Sequence, residues 1–151
     1  MLECTPPPLL EAALYGPDLR ALERFYSEVI GLPVLLRAPG RLVALRAGHT
    51  TLLLFDPAAT REAGGRVPEH GASGAGHVAF VIEEQTRHEW REWLEAHGVA
   101  IEKEVTWPEG GVSLYVRDPA GNSVELAPPR IWGGLGRDLL DALAAHPPPE
   151  R

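Results

Sequence analysis

The 151-residue chain has one cysteine, Cys4, and one lysine, Lys103. A lone cysteine excludes an intrachain disulfide and any cysteine-rich metal site. The other 13 of its 14 basic residues are arginines scattered along the chain, and the formal net charge is −7. Nothing in that distribution suits nucleic acid or an anionic membrane surface. No apolar run approaches the ~20 residues of a membrane span. The opening MLECTPPPLL lacks the basic stretch and apolar core of a secretory signal. These absences predict a cytoplasmic protein with neither a nucleic-acid nor a membrane partner. A hydrophobic content of 44% with 23% charged residues is that of a globular chain, and 151 residues suit one domain with a sizeable core.

What is present is a pattern stated twice. Residues 10–15 read as a strand, Gly16-Pro17 turns the chain, and Asp18 can cap a helix. Leu19, Leu22, Phe25, Tyr26, Val29 and Ile30 share one face of that helix, and Gly31 stops it. Short strands are predicted at 34–37, 41–46 and 50–55. The second half repeats the order, with a strand at 77–82, a helix over 85–96 ended by Gly98, and strands at 101–105, 112–117 and 123–127. Gly31-Leu32-Pro33-Val34 lies over Gly98-Val99-Ala100-Ile101, and Ala47-Gly48-His49-Thr50 over Ala120-Gly121-Asn122-Ser123. Such a duplication is a stronger signal than any single motif. It predicts an α+β fold of two tandem βαβββ units, forming a curved mixed sheet around a cavity with helices on the outer face. The units span 8–56 and 76–130 of a single domain, 1–151. The linker 57–75 serves as a plain connection or as a lid, and 131–151 is a C-terminal extension carrying a short amphipathic segment over 135–145 and a Pro-rich end expected to fray.

Strand side chains alternate, so each strand offers one face to its helix and one away from it. Val78, Phe80 and Ile82 suit the helix side, which turns His77, Ala79 and Val81 away. By the same alternation Glu11, Ala13 and Tyr15 face away in the first strand, Ser123, Glu125 and Ala127 in the last, and Ser113, Tyr115 and Arg117 beside it. Glu11, His77 and Glu125 thus fall on open faces at equivalent places in the repeat. The fourth equivalent place is occupied by Leu52, which ligates nothing. One imidazole and two carboxylates suit one divalent ion of the Mn, Fe, Co, Ni or Zn kind. Taken singly, each has an ordinary explanation: Glu125 paired with Arg130, His77 a core histidine, Glu11 on an open edge. Their shared position in the repeat favours the metal.

The tandem units, with Asp18-Leu19, Phe25-Tyr26 and Gly31-Leu32 in the first helix region, GHVAF at 76–80 and DPAGNSVEL at 118–126, resemble the vicinal oxygen chelate superfamily. That group includes glyoxalase I, methylmalonyl-CoA epimerase, extradiol dioxygenases, fosfomycin-resistance transferases and bleomycin-binding proteins. The resemblance implies metal ligands on the first and last strands of each unit, hence Glu11, His77 and Glu125, with Leu52 at or near the fourth place. It implies a lyase, isomerase or epimerase that chelates two neighbouring oxygens of a small substrate, with Glu11 or Glu125 moving a proton. An extradiol-type dioxygenase and a metal-free binding protein of the bleomycin-resistance type are the alternatives. Tyr15, Ser113, Tyr115 and Arg117 are expected to line the cavity with Leu52, and His70 and Trp107 to join them from loops. The resemblance also implies a homodimer with its sites at the subunit interface, Glu11 coming from one chain and His77 with Glu125 from the other.

Overall fold

Each half closes into a four-stranded mixed sheet. In the computed structural model, which describes residues 8–145, β1 (Glu11–Tyr15) runs parallel to β4 (Thr50–Phe55). Antiparallel β3 (Leu42–Ala47) and β2 (Val34–Ala38) complete that sheet. The second sheet has the same order: β5 (His77–Val81) parallel to β8 (Ser123–Ala127), then β7 (Val112–Arg117) and β6 (Lys103–Thr106). The α+β architecture of two tandem βαβββ units is therefore as expected. Cys4 and the Pro-rich end lie outside the described residues.

The parallel first pair in each unit needs a crossover, and a helix supplies it. Asp18 caps α1 (Leu19–Arg24) by accepting the Ala21 N–H at 3.0 Å. The helix does not run straight to Gly31. It widens into a π-turn over Phe25–Val29, where the Ile30 N–H reaches the Phe25 carbonyl five residues back. The Val29 carbonyl at that end accepts from Trp93 Nε1 at 2.9 Å. Trp93 belongs to α3 (Arg87–Ala96), so this bond joins the two units. The linker contains a short helix, α2 (Pro57–Arg61), capped by Asp56 with Pro57 in its first turn. A final helix, α4 (Gly134–Ala145), follows the last sheet.

Alternation sorts the strands as the sequence predicts. Leu14, Leu45, Leu54, Leu114, Val116, Val124 and Leu126 are buried in one core with Leu22, Phe25, Tyr26 and Leu94 of the helices. Burying side chains of this size is worth about 1.5–3 kcal/mol each, which fixes the strand phase. A slip of one residue would exchange the core row for the open row.

A polar joint holds the units together. Asp118, 4% exposed, accepts from Ala120 N–H, Asn122 N–H, Asn122 Nδ2 and the Tyr26 hydroxyl. Asn122 in turn accepts the Gly76 N–H at 2.7 Å and donates to the Tyr15 carbonyl at 3.3 Å. One turn thereby fixes the end of β1 against the start of β5. The chains approach closely here: a Cβ on Gly16 would lie 2.6 Å from that of Ala120.

Candidate functional site

His77 opens β5 immediately after Gly76, so the joint that fixes Gly76 also fixes His77. Its ring nitrogen Nδ1 lies 3.2 Å from the Ser123 carbonyl. A carbonyl only accepts, so Nδ1 carries the proton in that bond and the neutral ring keeps its lone pair on Nε2. Nε2 points at Glu125 Oε2, 3.4 Å away. Glu125 is 5% exposed, and its other oxygen, Oε1, is buried without a hydrogen-bond partner. A neutral imidazole nitrogen and a carboxylate oxygen are both acceptors, so their approach calls for a proton or a cation between them. Two donors each ~2.1 Å from one metal ion and about at right angles stand about 3 Å apart, which suits this pair. The orphaned Oε1 and the lone pair on Nε2 fit a divalent cation. Arg130 takes no part, being paired with Glu84 at 2.9 Å.

The neighbouring strand builds a polar wall beside the pair. Tyr115 sits directly across from Glu125 in the β7–β8 register, and its ring stacks on His77 with centroids 6.3 Å apart. Its pKa is pushed up to about 12, chiefly by burial, then by the hydrogen bond and negative charge of Glu125; a hydrogen bond from Ser113 acts the other way. Ser113 is fully buried and accepts from Trp107 Nε1 at 2.8 Å. Trp107, Ser113 and Tyr115 thus form a polar run beside the carboxylate, with Trp107 hydrogen-bonded to Ser113. Alternation located Ser113 and Tyr115; the bond from Trp107 had no sequence signal.

Glu11 is exposed on the open face of the first sheet. Among the described residues, no three His, Cys, Asp or Glu side chains come close enough to hold one metal ion. Glu11 thus does not join His77 and Glu125 within one chain. Tyr15, four residues along β1, bonds through its hydroxyl to His70 Nδ1 at 2.8 Å and stacks on Phe55. His70 packs edge-on to Phe55, with centroids 4.8 Å apart. The linker is accordingly folded over the Tyr15 end of the sheet, and Phe55 is a member of that aromatic cluster that sequence reasoning did not name.

Two expected positions are corrected. Leu52 is 3% exposed in the core and does not reach the open face. The β1–β4 register sets Ala13 opposite Leu53, as the β5–β8 register sets Ala79 opposite Glu125. The fourth equivalent position is therefore Leu53. The sequence alignment missed it because setting Ala47-Gly48 over Ala120-Gly121 allows the turn after Arg117 two residues more than the turn after Arg46, and the registers allow one: Arg117 pairs with Ser123, whereas Arg46 pairs with Thr51. Arg117 lies on the expected face but is drawn aside. Its guanidinium grips both Glu102 oxygens at 2.6 and 3.0 Å and the Gly121 carbonyl at 3.1 Å.

A cleft of about 630 Å³ lies elsewhere, between the π-turn and α3, lined by Glu28, Trp90 and Trp93 among others. It shares no residue with the His77–Glu125 pair, whose face is open rather than enclosed. Val81 on that face is 48% exposed, and Leu36 on the corresponding face of the first sheet is 58% exposed.

The family described as the Glyoxalase/Bleomycin resistance protein/Dioxygenase superfamily matches residues 9–126. Among solved structures, a lactoylglutathione lyase from Agrobacterium tumefaciens is 43% identical, covering 85% of this chain and 99% of that one, with a TM-score of 0.81. A glyoxalase/dioxygenase from Nostoc punctiforme is 25% identical over 80% of this chain and 89% of its own, with a TM-score of 0.59. A glyoxalase/bleomycin resistance protein/dioxygenase from Nocardioides, 23% identical over 84% of this chain and 86% of its own, has a TM-score of 0.68 and bears on the fold alone. A comparison with curated proteins finds no match.

Proposed function

This chain belongs to the glyoxalase/bleomycin resistance protein/dioxygenase superfamily, and we propose that it is a metal-dependent, glyoxalase-like lyase, isomerase or epimerase. Its substrate is a small molecule with two neighbouring oxygens. The observation that carries this reading is the His77–Glu125 pair, two acceptors facing each other with a buried, unpartnered carboxylate oxygen beside them. A divalent ion of the Mn, Fe, Co, Ni or Zn kind, held by His77, Glu125 and Glu11 of a second copy, would supply Lewis-acid stabilisation of a negatively charged oxygen.

The rest of the chemistry falls to the protein. His77 is oriented through its Nδ1–H bond to Ser123, the usual way a ligating imidazole is fixed. Tyr115 keeps its proton at neutral pH and holds Glu125 in place. Glu125 and Glu11 are the groups that can accept a proton from the carbon beside the chelated oxygens and return it. The site is completed by dimerisation. Each unit leaves one sheet face open, with Val81 and Leu36 exposed on them, and a second copy brings the Glu11 face of its first unit against the His77 face. The similarity to a chain named lactoylglutathione lyase supports a hydroxyacyl thioester of glutathione as the first substrate to try.

A second reading has one observation in its favour. Leu53 stands where Glu125 stands in the repeat, which suits a metal-free protein that sequesters a small molecule. Elemental analysis of the protein as purified separates the two, followed by turnover of lactoylglutathione, thiol adducts of 2-oxoaldehydes, and catechols. About one transition metal per chain with isomerisation of a thiol adduct supports the enzyme. Catechol cleavage with oxygen uptake turns the assignment to a dioxygenase. Tight ligand binding with no metal and no turnover turns it to a binding protein.

A further inference from the structure

The cleft of about 630 Å³ between the π-turn and α3 takes no part in the proposed reaction. Glu28 and the end of the π-turn line one side of it, and Glu89, Trp90 and Trp93 line the other. It lies on the helix side of the sheets, across the seam between the two units. Trp93 is fixed there without a ligand. Its Nε1 donates to the Val29 carbonyl at 2.9 Å, and its ring lies against His97 with centroids 4.0 Å apart. Even so, Trp93 stays 45% exposed. A held, water-facing indole attracts cations through its π-electrons.

All the charge on this lining has one sign. Glu28 and Glu89 are its charged side chains, and neither has a basic partner among the described residues. The helical segment that starts at Leu19 ends beside them, so the negative end of its dipole adds to the two carboxylates. Among the described residues no third ligand is near enough to make this a metal site, and an indole N–H has no lone pair to offer a metal. Carboxylates beside indoles suit an organic cation instead.

We propose that this cleft binds a small linear diamine, its two ammonium groups held by Glu28 and Glu89 and its carbon chain lying on Trp90 and Trp93. The volume falls in the range of small-molecule sites. Val29 and Ile30, which also line it, extend the apolar floor that a methylene chain needs. One carboxylate comes from each unit, so a bound diamine bridges the units and reinforces the Trp93–Val29 bond. The site shares no residue with the His77–Glu125 pair, so it stands or falls independently of the metal reading.

The test uses the full chain, with 1,5-diaminopentane as the probe and 1,5-pentanediol as its neutral counterpart. Binding is followed by calorimetry at constant ionic strength. The diamine should bind once per chain with a Kd of roughly 1 mM or tighter, and the diol should not bind. Glu28→Gln combined with Glu89→Gln should weaken the diamine at least about fivefold. Glu62→Gln combined with Glu69→Gln removes the same charge from the exposed linker and should leave the affinity unchanged. Trp93→Leu should weaken the diamine about threefold; if it fails to fold, the same measurement is made on Trp93→Phe, which keeps a ring and should bind less tightly than the unaltered protein. Absence of saturable diamine binding below about 10 mM overturns the proposal. So does an equal loss in the two double-glutamine variants, which would reduce the effect to net charge, or an unaltered affinity in the Trp93 variant. A blocked peptide of alternating lysine and glycine that bound at least about tenfold more tightly than the diamine would overturn the small-molecule assignment in favour of a basic protein segment.

Discussion

The Tyr26 hydroxyl donates to Asp118 Oδ2 at 2.9 Å across the boundary between the two units. Burial, followed by the charge of Asp118 and the hydrogen bond to it, raises the Tyr26 pKa far above its ordinary value. Raised in the folded state, this group contributes stability that is fully present below its unfolded pKa of about 10 and is lost as pH rises above it. Tyr26→Phe should cost about 1–3 kcal/mol at pH 7, because Asp118 loses a donor in a buried site. The deficit should shrink by about 1.4 kcal/mol per pH unit above pH 10, where the unfolded wild type ionises and the variant does not. Urea midpoints of the two proteins between pH 7 and 11 measure both effects.

Glu125 separates stability from binding. Its unpartnered Oε1 makes the metal-free carboxylate an unfavourable buried group. Glu125→Gln keeps the shape and removes the charge, so the metal-free variant should be as stable as the wild type or more so, by up to about 1 kcal/mol. Divalent-metal affinity should fall at least about tenfold. Melting temperatures with chelator and with added Mn²⁺ show this directly. The wild type should gain from metal, and the variant should gain little.

Ser113 is the concealed support of the polar wall. Ser113→Ala leaves Trp107 Nε1 without its acceptor and removes the hydroxyl beside Tyr115. A loss of about 1–3 kcal/mol is expected, as for other buried groups stripped of a partner. Indole fluorescence should shift toward the red as Trp107 becomes more accessible to water, and Ser113→Thr should recover most of the stability.

Much of the fold could be read from the sequence because duplication and alternation are both short-range. The core rows carrying Leu114, Val116, Val124 and Leu126 follow from a period of two, and so do the open positions of Ser113, Tyr115 and Glu125. Errors arose where tertiary contacts or turn geometry decide. The turn at Asp118–Asn122 is one residue longer than its counterpart because Asp118 caps it from within, accepting from Ala120 and Asn122 N–H. An alignment by residue identity set Ala47-Gly48 over Ala120-Gly121, which counts two extra residues there instead of one, and it named Leu52 for Leu53. Arg117 has the right face, but Glu102 on the neighbouring strand edge captures its guanidinium. The His70–Tyr15 bond joins residues 55 apart, and periodicity carries no information about such a contact.

The central claim is a metal site shared between two chains, and subunit mixing tests it most directly. One preparation carries Glu11→Ala and the other His77→Ala, each unable to build a complete site as a homodimer. After confirmed exchange of subunits, bound Mn²⁺ is measured by equilibrium dialysis. In a mixed dimer one of the two shared sites regains all its ligands and the other loses two. The account predicts recovery of roughly half of the sites in mixed dimers. No recovery after exchange, or a protein that stays monomeric at every concentration, would contradict it.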